Sequence, residues 1–324
     1  MLPQTPTVPG VTWRPPTRAD AAMLADHTRR IHEVERLDFL PGAEYFEWLL
    51  AQPGIDPAED MLIGLVDGKI VADAGTWLHS GETGARCFVW GEASPAHTGL
   101  TGFLLEWARE RAQQRLAAQP EHLPRVIRTW VEEHRTSQCA AIEAAGFGAP
   151  RGFVGMARPL SDLPPLPDVL TGIEVVTWSD DLEAAVLLAS NVSFADHWGS
   201  IPMSAAEFRG FYRDNPTFRP DLSFLAIADE SVVSFSLCEV DEEDNQDRDT
   251  NDLHIQRVGT VRHHRGQGLV SYLMLRSMHA AVSAGGLDRA SLDVDEMSHT
   301  DATLVYERLG FETYTRTLSY TIAT

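Results

Sequence analysis

Apolar and polar positions run along this chain in two successive passes, and the second repeats the first. Val11–Arg14 reads as a short strand and Arg18–Val34 as a helix. Leu62–Val66 and Lys69–Thr76 then read as strands, and Arg86–Ala93 is a strand feeding the helical pattern Gly102–Ala117. The second pass places Ile173–Thr177, Asp180–Ser190, Phe224–Ala228, Ser231–Cys238, Leu253–Val261 and Leu269–Ala284 in the same order. Each pass closes with a strand, a helix, a Gly-Phe pair and a last strand; the pairs are Gly146-Phe147 and Gly310-Phe311. Strands mixed with helices, with hairpins at the edges, predict an α/β domain (an α+β mixed sheet) built twice. Arg158–Pro167 is proline-rich and cannot continue a helix or a central strand. It divides the chain into expected domains at residues 1–160 and 168–324.

The richest local pattern is Thr260–Val270, where a strand meets Arg265-Gly266-Gln267-Gly268 and a helix leaves. Glycines there permit a turn with outward backbone N–H groups, and the helix dipole points at it, which suits a phosphate. The helix Leu269–Ala284 stops at Gly285-Gly286. The net charge of -21 makes the cluster Arg257, Arg262, His263, His264 and Arg265 unexpected, and a pyrophosphate fits it. An ordinary strand–turn–helix link with solvated basic residues accounts for the glycines alone equally well. The same charge excludes a nucleic-acid partner and favours a cationic one. No apolar run is long enough to span a bilayer, so no membrane partner is expected. Cys87, Cys139 and Cys238 form no disulfide or zinc spacing, which suits a cytoplasmic protein with no metal.

Downstream of the strand Ser291–Val294 comes His299-Thr300-Asp301-Ala302-Thr303-Leu304-Val305-Tyr306-Glu307-Arg308-Leu309-Gly310-Phe311. With the glycine turn, this resembles the GNAT N-acetyltransferase family. Its turn has the form Arg/Gln-x-x-Gly-x-Gly/Ala, and its later helix the form Asn-x-x-Ala-x-x-x-Tyr-Glu-x-x-Gly-Phe. Arg265 and Gly268 match the turn; Ala302, Tyr306, Glu307, Gly310 and Phe311 match the helix. The resemblance covers the second half closely and the first in outline, as in tandem GNAT proteins of the mycothiol-synthase type.

The resemblance implies acetyl-CoA, or another acyl-CoA, as co-substrate. It would lie along Val258, Gly259, Thr260, Arg265, Gly266, Gln267, Gly268, Leu269, Val270, Ser271 and His299, and Tyr306 would protonate the leaving thiolate. Val270 stands where the family has glycine or alanine, and its branched Cβ is expected to hinder the phosphate. His254 occupies the position of the family's common general-base glutamate, with Asp252 and Glu239 as fallback bases; a half-buried strand histidine is its alternative reading. The implied reaction moves an acetyl group to the amine of a small-molecule acceptor by direct attack. Alternatives are an inactive acyl-CoA-binding sensor and acylation of a cysteinyl sugar. The first half lacks the arginine in its turn Pro95–Leu105. It has Ile142 at the tyrosine position and Arg135 at the asparagine position, so it is expected to be a degenerate GNAT domain. The acidic run Glu239–Asp252 reads as a solvated hairpin tip. Phe194–Gly199 falls where the family places acceptor-binding segments, with Asp196 and His197 as candidates.

Overall fold

The computed structural model describes residues 2–5, 7–168, 171–298 and 302–324. They form two compact units, one of Met1–Gly152 with Arg316–Thr324 and the other of Phe153–Thr315.

The first unit contains β1 (Thr12–Arg14), α1 (Ala21–Glu35), α2 (Ala43–Leu49), α3 (Pro57–Asp60), β2 (Met61–Val66), β3 (Lys69–Gly81), β4 (Gly84–Ala93), α4 (Thr101–Ala117), β5 (Arg125–Glu132) and α5 (Thr136–Ala144). Its strands pair antiparallel in the order β1-β2-β3-β4, and β5 joins β4 in parallel. β6 (Arg151–Pro159) follows in sequence but pairs with β11 of the second unit's sheet. The second unit continues with β7 (Glu174–Thr177), α6 (Glu183–Phe194), α7 (Ala205–Phe211), β8 (Phe224–Ala228), β9 (Ser231–Glu239), α8 (Glu242–Arg248), β10 (Asp252–Thr260), α9 (Leu269–Ala284), β11 (Arg289–Asp295) and α10 (Ala302–Arg308). Its sheet runs β6-β11-β10-β9-β8-β7, with β10 and β11 the parallel pair. The last strand, β12 (Glu312–Ala323), reaches β5 in the register Glu132↔Thr317 to Val126↔Ala323. The compact units therefore differ from the halves of the sequence: each takes a closing strand from the far end of the other half.

Packing follows the sequence pattern. One face of the second sheet carries Leu253, Leu292 and Val294 under Met274, Met278 and Ala281 of α9. The opposite face carries Phe235 and Leu237 under Val186 and Ala189 of α6. In the first unit Leu104, Leu105, Ala108 and Ala112 of α4 cover Cys87, Val89 and Ile127. A side chain at Gly91 would bring its Cβ within 2.8 Å of the Leu105 nitrogen, so this glycine sets how closely α4 approaches.

The acidic run is not the bare hairpin tip expected. It folds into α8, whose Asp241 side chain accepts from the Asp244 N–H at 2.9 Å. Carboxylates in a first helical turn complement the helix dipole. Asn245 then ties the helix back to β10, donating to Asp252 O at 3.1 Å and accepting from Asp252 N at 2.9 Å.

Candidate active site

The parallel pairing of β10 and β11 stops early. Only Asp252–His254 are in register with Arg289–Ser291. Beyond them β11 stays with β6 as far as Asp295, and β10 stays with β9 as far as Thr260. A register shift between His254 and Arg257 bends β10 away. The two strands therefore splay, and Val258, Gly259 and Thr260 edge the opening. A peptide N–H facing such a gap has no strand partner and is free for a ligand.

The glycine turn lies at the end of β10. Gly266 and Gly268 have φ of +75° and +78°, a conformation that L side chains adopt only with strain. Space in front of both is open. Gly268 caps α9, and the first intrahelical bond is Tyr272 N to Gly268 O at 2.9 Å. The N–H groups of Leu269, Val270 and Ser271 thus have no intrahelical acceptor. Gln267 is exposed. Val270 is half-buried against the core that contains Met274, so its Cβ is turned inward, contrary to the expected hindrance.

The basic cluster does not converge. The Arg265 guanidinium folds back, donating to Thr260 O at 3.1 Å and Ser193 O at 3.0 Å, and so fastens the turn to the end of α6. Arg262 and His263 are exposed. Arg257 turns towards α6, where its Nε donates to Ser190 Oγ at 2.8 Å and its guanidinium lies 3.7 Å from the Phe194 ring centroid.

A polar chain sits where the strands part. His254 Nδ1 is 3.0 Å from Ser291 Oγ, and Ser291 Oγ donates to Asp252 Oδ2. His254 Nε2 is 3.8 Å from Asp293 Oδ2, and the ring is about a third exposed at 31%. Glu239 is directly opposite His254 on β9. Burial pushes its carboxyl above the ordinary range, with His254 and hydrogen bonds from Thr217 and Asn215 pulling the other way. Ser291 and Asp293 were missed in the sequence. Their signal was the alternation Ser291-Leu292-Asp293-Val294, which puts both polar side chains on the face of β11 opposite Leu292.

Tyr306 is buried in α10 with its ring 6.3 Å from that of Phe311, and burial pushes its phenol up to about 12. His299 lies outside the described residues. His197, after α6, stacks on Phe194 at 4.5 Å, and burial, with Arg257 and Arg265, pushes it below its ordinary value. Asp295 at the end of β11 acts on the same ring in the opposite direction. Among the described residues no three His, Cys, Asp or Glu side chains are grouped to hold a metal ion.

The first unit has the same splay, since β4 and β5 pair only from Ala85↔Arg125 to Phe88↔Arg128. Its opening is filled from within. The Arg135 side chain, 5% exposed, meets Glu92 of β4 at 2.6 Å, Glu132 of β5 at 3.3 Å and Glu35 of α1 at 2.6 Å. Gln138 donates to the Gly91 carbonyl at 2.8 Å. The turn after β4, Pro95–Leu100, is a 3-10 helix in which Gly99 keeps an ordinary φ.

Residues 191–311 match the acetyltransferase (GNAT) family model. The chain is 32% identical over 200 residues to a mycothiol acetyltransferase of Thermobispora bispora, an alignment covering 60% of this chain and 65% of that protein. It is 29% identical over 197 residues to a mycothiol acetyltransferase of Salinispora arenicola, covering 60% and 62%. The chain thus spans a little under two thirds of the length of these curated relatives. A GCN5-related N-acetyltransferase from Sphaerobacter thermophilus superposes with a TM-score of 0.74 at 22% identity, over 100% of this chain and 97% of that one. A tandem GNAT protein from the clavulanic acid biosynthesis pathway does so with a TM-score of 0.73 at 17% identity, over 97% and 98%. Among the described residues no helix is long and apolar enough to cross a membrane. With the splayed β10 and β11, the glycine turn and α10 in place, the chain has the fold of tandem GNAT proteins, and its residues 191–311 match the GNAT acetyltransferase family model.

Proposed function

We propose that the chain is an acyl-CoA-dependent N-acetyltransferase acting on the amine of a small molecule, with the second unit catalytic and the first degenerate. The observation that carries this reading is the splay of β10 from β11 directly before the Gly266–Gly268 turn. An extended thioester arm fits between strands that have stopped pairing, and a pyrophosphate fits the open turn with its free first-turn N–H groups. Acetyl-CoA supplies an activated acyl group there. Val258, Gly259, Thr260, Gly266, Gln267, Gly268, Leu269, Val270 and Ser271 would hold it mainly through backbone. Arg265 would hold the turn itself in shape, since its guanidinium is committed to carbonyls.

The proton economy is assigned to His254, Glu239 and Tyr306. His254, oriented by Ser291 and Asp252, or Glu239 opposite it, takes the proton from the acceptor amine. The C–N bond forms as the C–S bond breaks. Tyr306 gives its proton to the departing thiolate, and its raised value keeps it protonated at neutral pH until then. The test is thiol release from acetyl-CoA over an amine panel with wild type and Tyr306→Phe. No thiol with any amine, or an unchanged Tyr306→Phe rate, rejects the reading.

A second reading, acetylation of a mycothiol-type acceptor, rests on the mycothiol acetyltransferases at about 30% identity. We place the protein in the cytoplasm. Cys87, Cys139 and Cys238 are free, and burial pushes Cys87 and Cys238 up to about 11, so neither forms a reactive thiolate. A net charge of -21 argues against nucleic acid as its partner.

A further inference from the structure

Asp252 and His254 stand two residues apart on β10, so their side chains leave the strand on the same face. Ser291 is the register partner of His254 on β11, in the last pair before the strands splay. One hydroxyl therefore reaches both: Ser291 Oγ donates to Asp252 Oδ2 and lies 3.0 Å from His254 Nδ1. Asp252 and Ser291 are buried, at 6% and 1% exposure, whereas the His254 side chain is 31% exposed. Behind them Asn245 holds the Asp252 backbone at both its N–H and its carbonyl.

The direction of these bonds follows from counting protons. A carboxylate only accepts, and a serine hydroxyl has one proton to give. Ser291 gives it to Asp252, so towards His254 its oxygen is an acceptor and Nδ1 carries the hydrogen. In the neutral ring Nε2 is then left with its lone pair, on the side away from Ser291 and 3.8 Å from Asp293 Oδ2. Asp252 Oδ1 has no hydrogen-bond partner among the described residues. The Arg289 guanidinium is 3.7 Å from Asp252 Oδ2 and lies 4.5 Å from the centre of the Tyr314 ring. Asp252 thus keeps negative charge for an imidazolium on the far side of Ser291. The other ionisable groups facing the ring are Glu239 of β9 and Asp293 of β11. Each of these carboxyls, when ionised, favours a proton arriving at Nε2.

We propose that Ser291 is a positioning residue which, with Asp252 behind it, fixes His254 as the Nδ1–H tautomer and so presents Nε2 as a hydrogen-bond acceptor. His254 then receives an N–H of the incoming amine and does not donate to the thioester carbonyl. The opposite tautomer, with Nε2–H, would polarise that carbonyl and repel the ammonium. Glu239 is left for a second N–H of the same ammonium, so the tautomer holds whichever of the two takes the proton. The assignment deepens the acetyl-transfer reading and rests on it for the group that meets Nε2, but the tautomer belongs to the protein alone.

The experiment is nitrogen NMR of the full chain labelled at its histidine ring nitrogens, above the titration of the ring. The His254 signals are assigned by their loss in His254→Gln, and thiol release over the amine panel is followed alongside. In wild type, Nδ1 should give a protonated and Nε2 an unprotonated signal. Ser291→Ala should admit both tautomers. It should also lower kcat/KM for the amine by about 10–100-fold, the effect of one hydrogen bond to a charged group, with KM for acetyl-CoA unchanged. Ser291→Thr, which keeps the hydroxyl, should restore the tautomer and most of the rate. An Nε2–H tautomer in wild type overturns the proposal, as does a tautomer unchanged in Ser291→Ala. A Ser291-dependent Nδ1–H tautomer without thiol release from any amine upholds Ser291 and rejects acetyl transfer. Thiol release by a wild type in the Nε2–H form does the reverse.

Discussion

Replacing Arg135 by methionine tests whether the first unit's cleft is closed by its own side chains. The guanidinium is almost fully buried and holds Glu35, Glu92 and Glu132 together. Breaking a buried pair from one side costs roughly 3–5 kcal/mol, because the partner's charge stays behind. Glu35 and Glu92 keep about a quarter of their side chains in solvent, at 25% and 26%, so the low end, about 3 kcal/mol, applies. With a urea slope of roughly 2 kcal/mol per M the midpoint should fall by about 1.5 M. Six of the eight tryptophans lie in Met1–Gly152, so fluorescence reports on the first unit. The pH dependence is the sharper part. Burial pushes the Glu92 carboxyl up and Arg135 opposes it. Without Arg135 the folded value rises further. A carboxyl raised on folding contributes stability below its unfolded value and loses it as pH rises through the folded one. The variant should therefore be close to wild type near pH 4 and fall behind progressively towards about pH 8. Adding Glu92→Gln should recover about 1 kcal/mol at the upper end. A midpoint equal to wild type across this range, or a deficit that grows on acidification, refutes the reasoning.

Calorimetric titration with acetyl-CoA should saturate at one site per chain, because Arg135 and Gln138 fill the other splay; two sites would contradict this. Gly268→Ala puts an L side chain at a φ of +78°, so KM for acetyl-CoA should rise by about tenfold with little change in kcat. The kcat/KM profile should carry an acid limb above the ordinary carboxylate range, with activity rising as Glu239 loses its proton, and Glu239→Gln should remove that limb. A limb that survives Glu239→Gln and vanishes in His254→Gln would assign the base to His254.

What could be read from the sequence was local. The turn at Gly266 and Gly268 was legible because positive φ demands glycine, and the helix after it because its apolar spacing and Gly285 mark both period and end. The α8 helix was not, since seven polar residues carry no apolar period and its anchor, Asn245 to Asp252, is a side-chain contact. The direction of the basic side chains was equally hidden. Arg257 and Arg265 sit eight positions apart in one basic run, yet both are captured by α6, more than 60 residues away. The destination of β12 was beyond reach, because β5 lies about 190 residues earlier and only the closed sheet decides the pairing.

The closure of the first unit's cleft follows from one position. Gly259 pairs with Phe235, and a Cβ there would come within 2.6 Å of that ring; the corresponding pair in the first unit is Glu92 with Asp73. A glycine leaves the splay open beside an apolar ring. A glutamate beside an aspartate brings two carboxylates to the same spot, and half-buried like charges need a cation. Arg135 meets that need from the position where the family has asparagine, while Trp90 Nε1 donates to Asp73 at 2.8 Å. Once charge balance in the first unit depends on Arg135, the arginine cannot leave for a coenzyme without stranding Glu92. The carboxylate at position 92 and the closed cleft therefore go together, and a glycine turn alone would not open it.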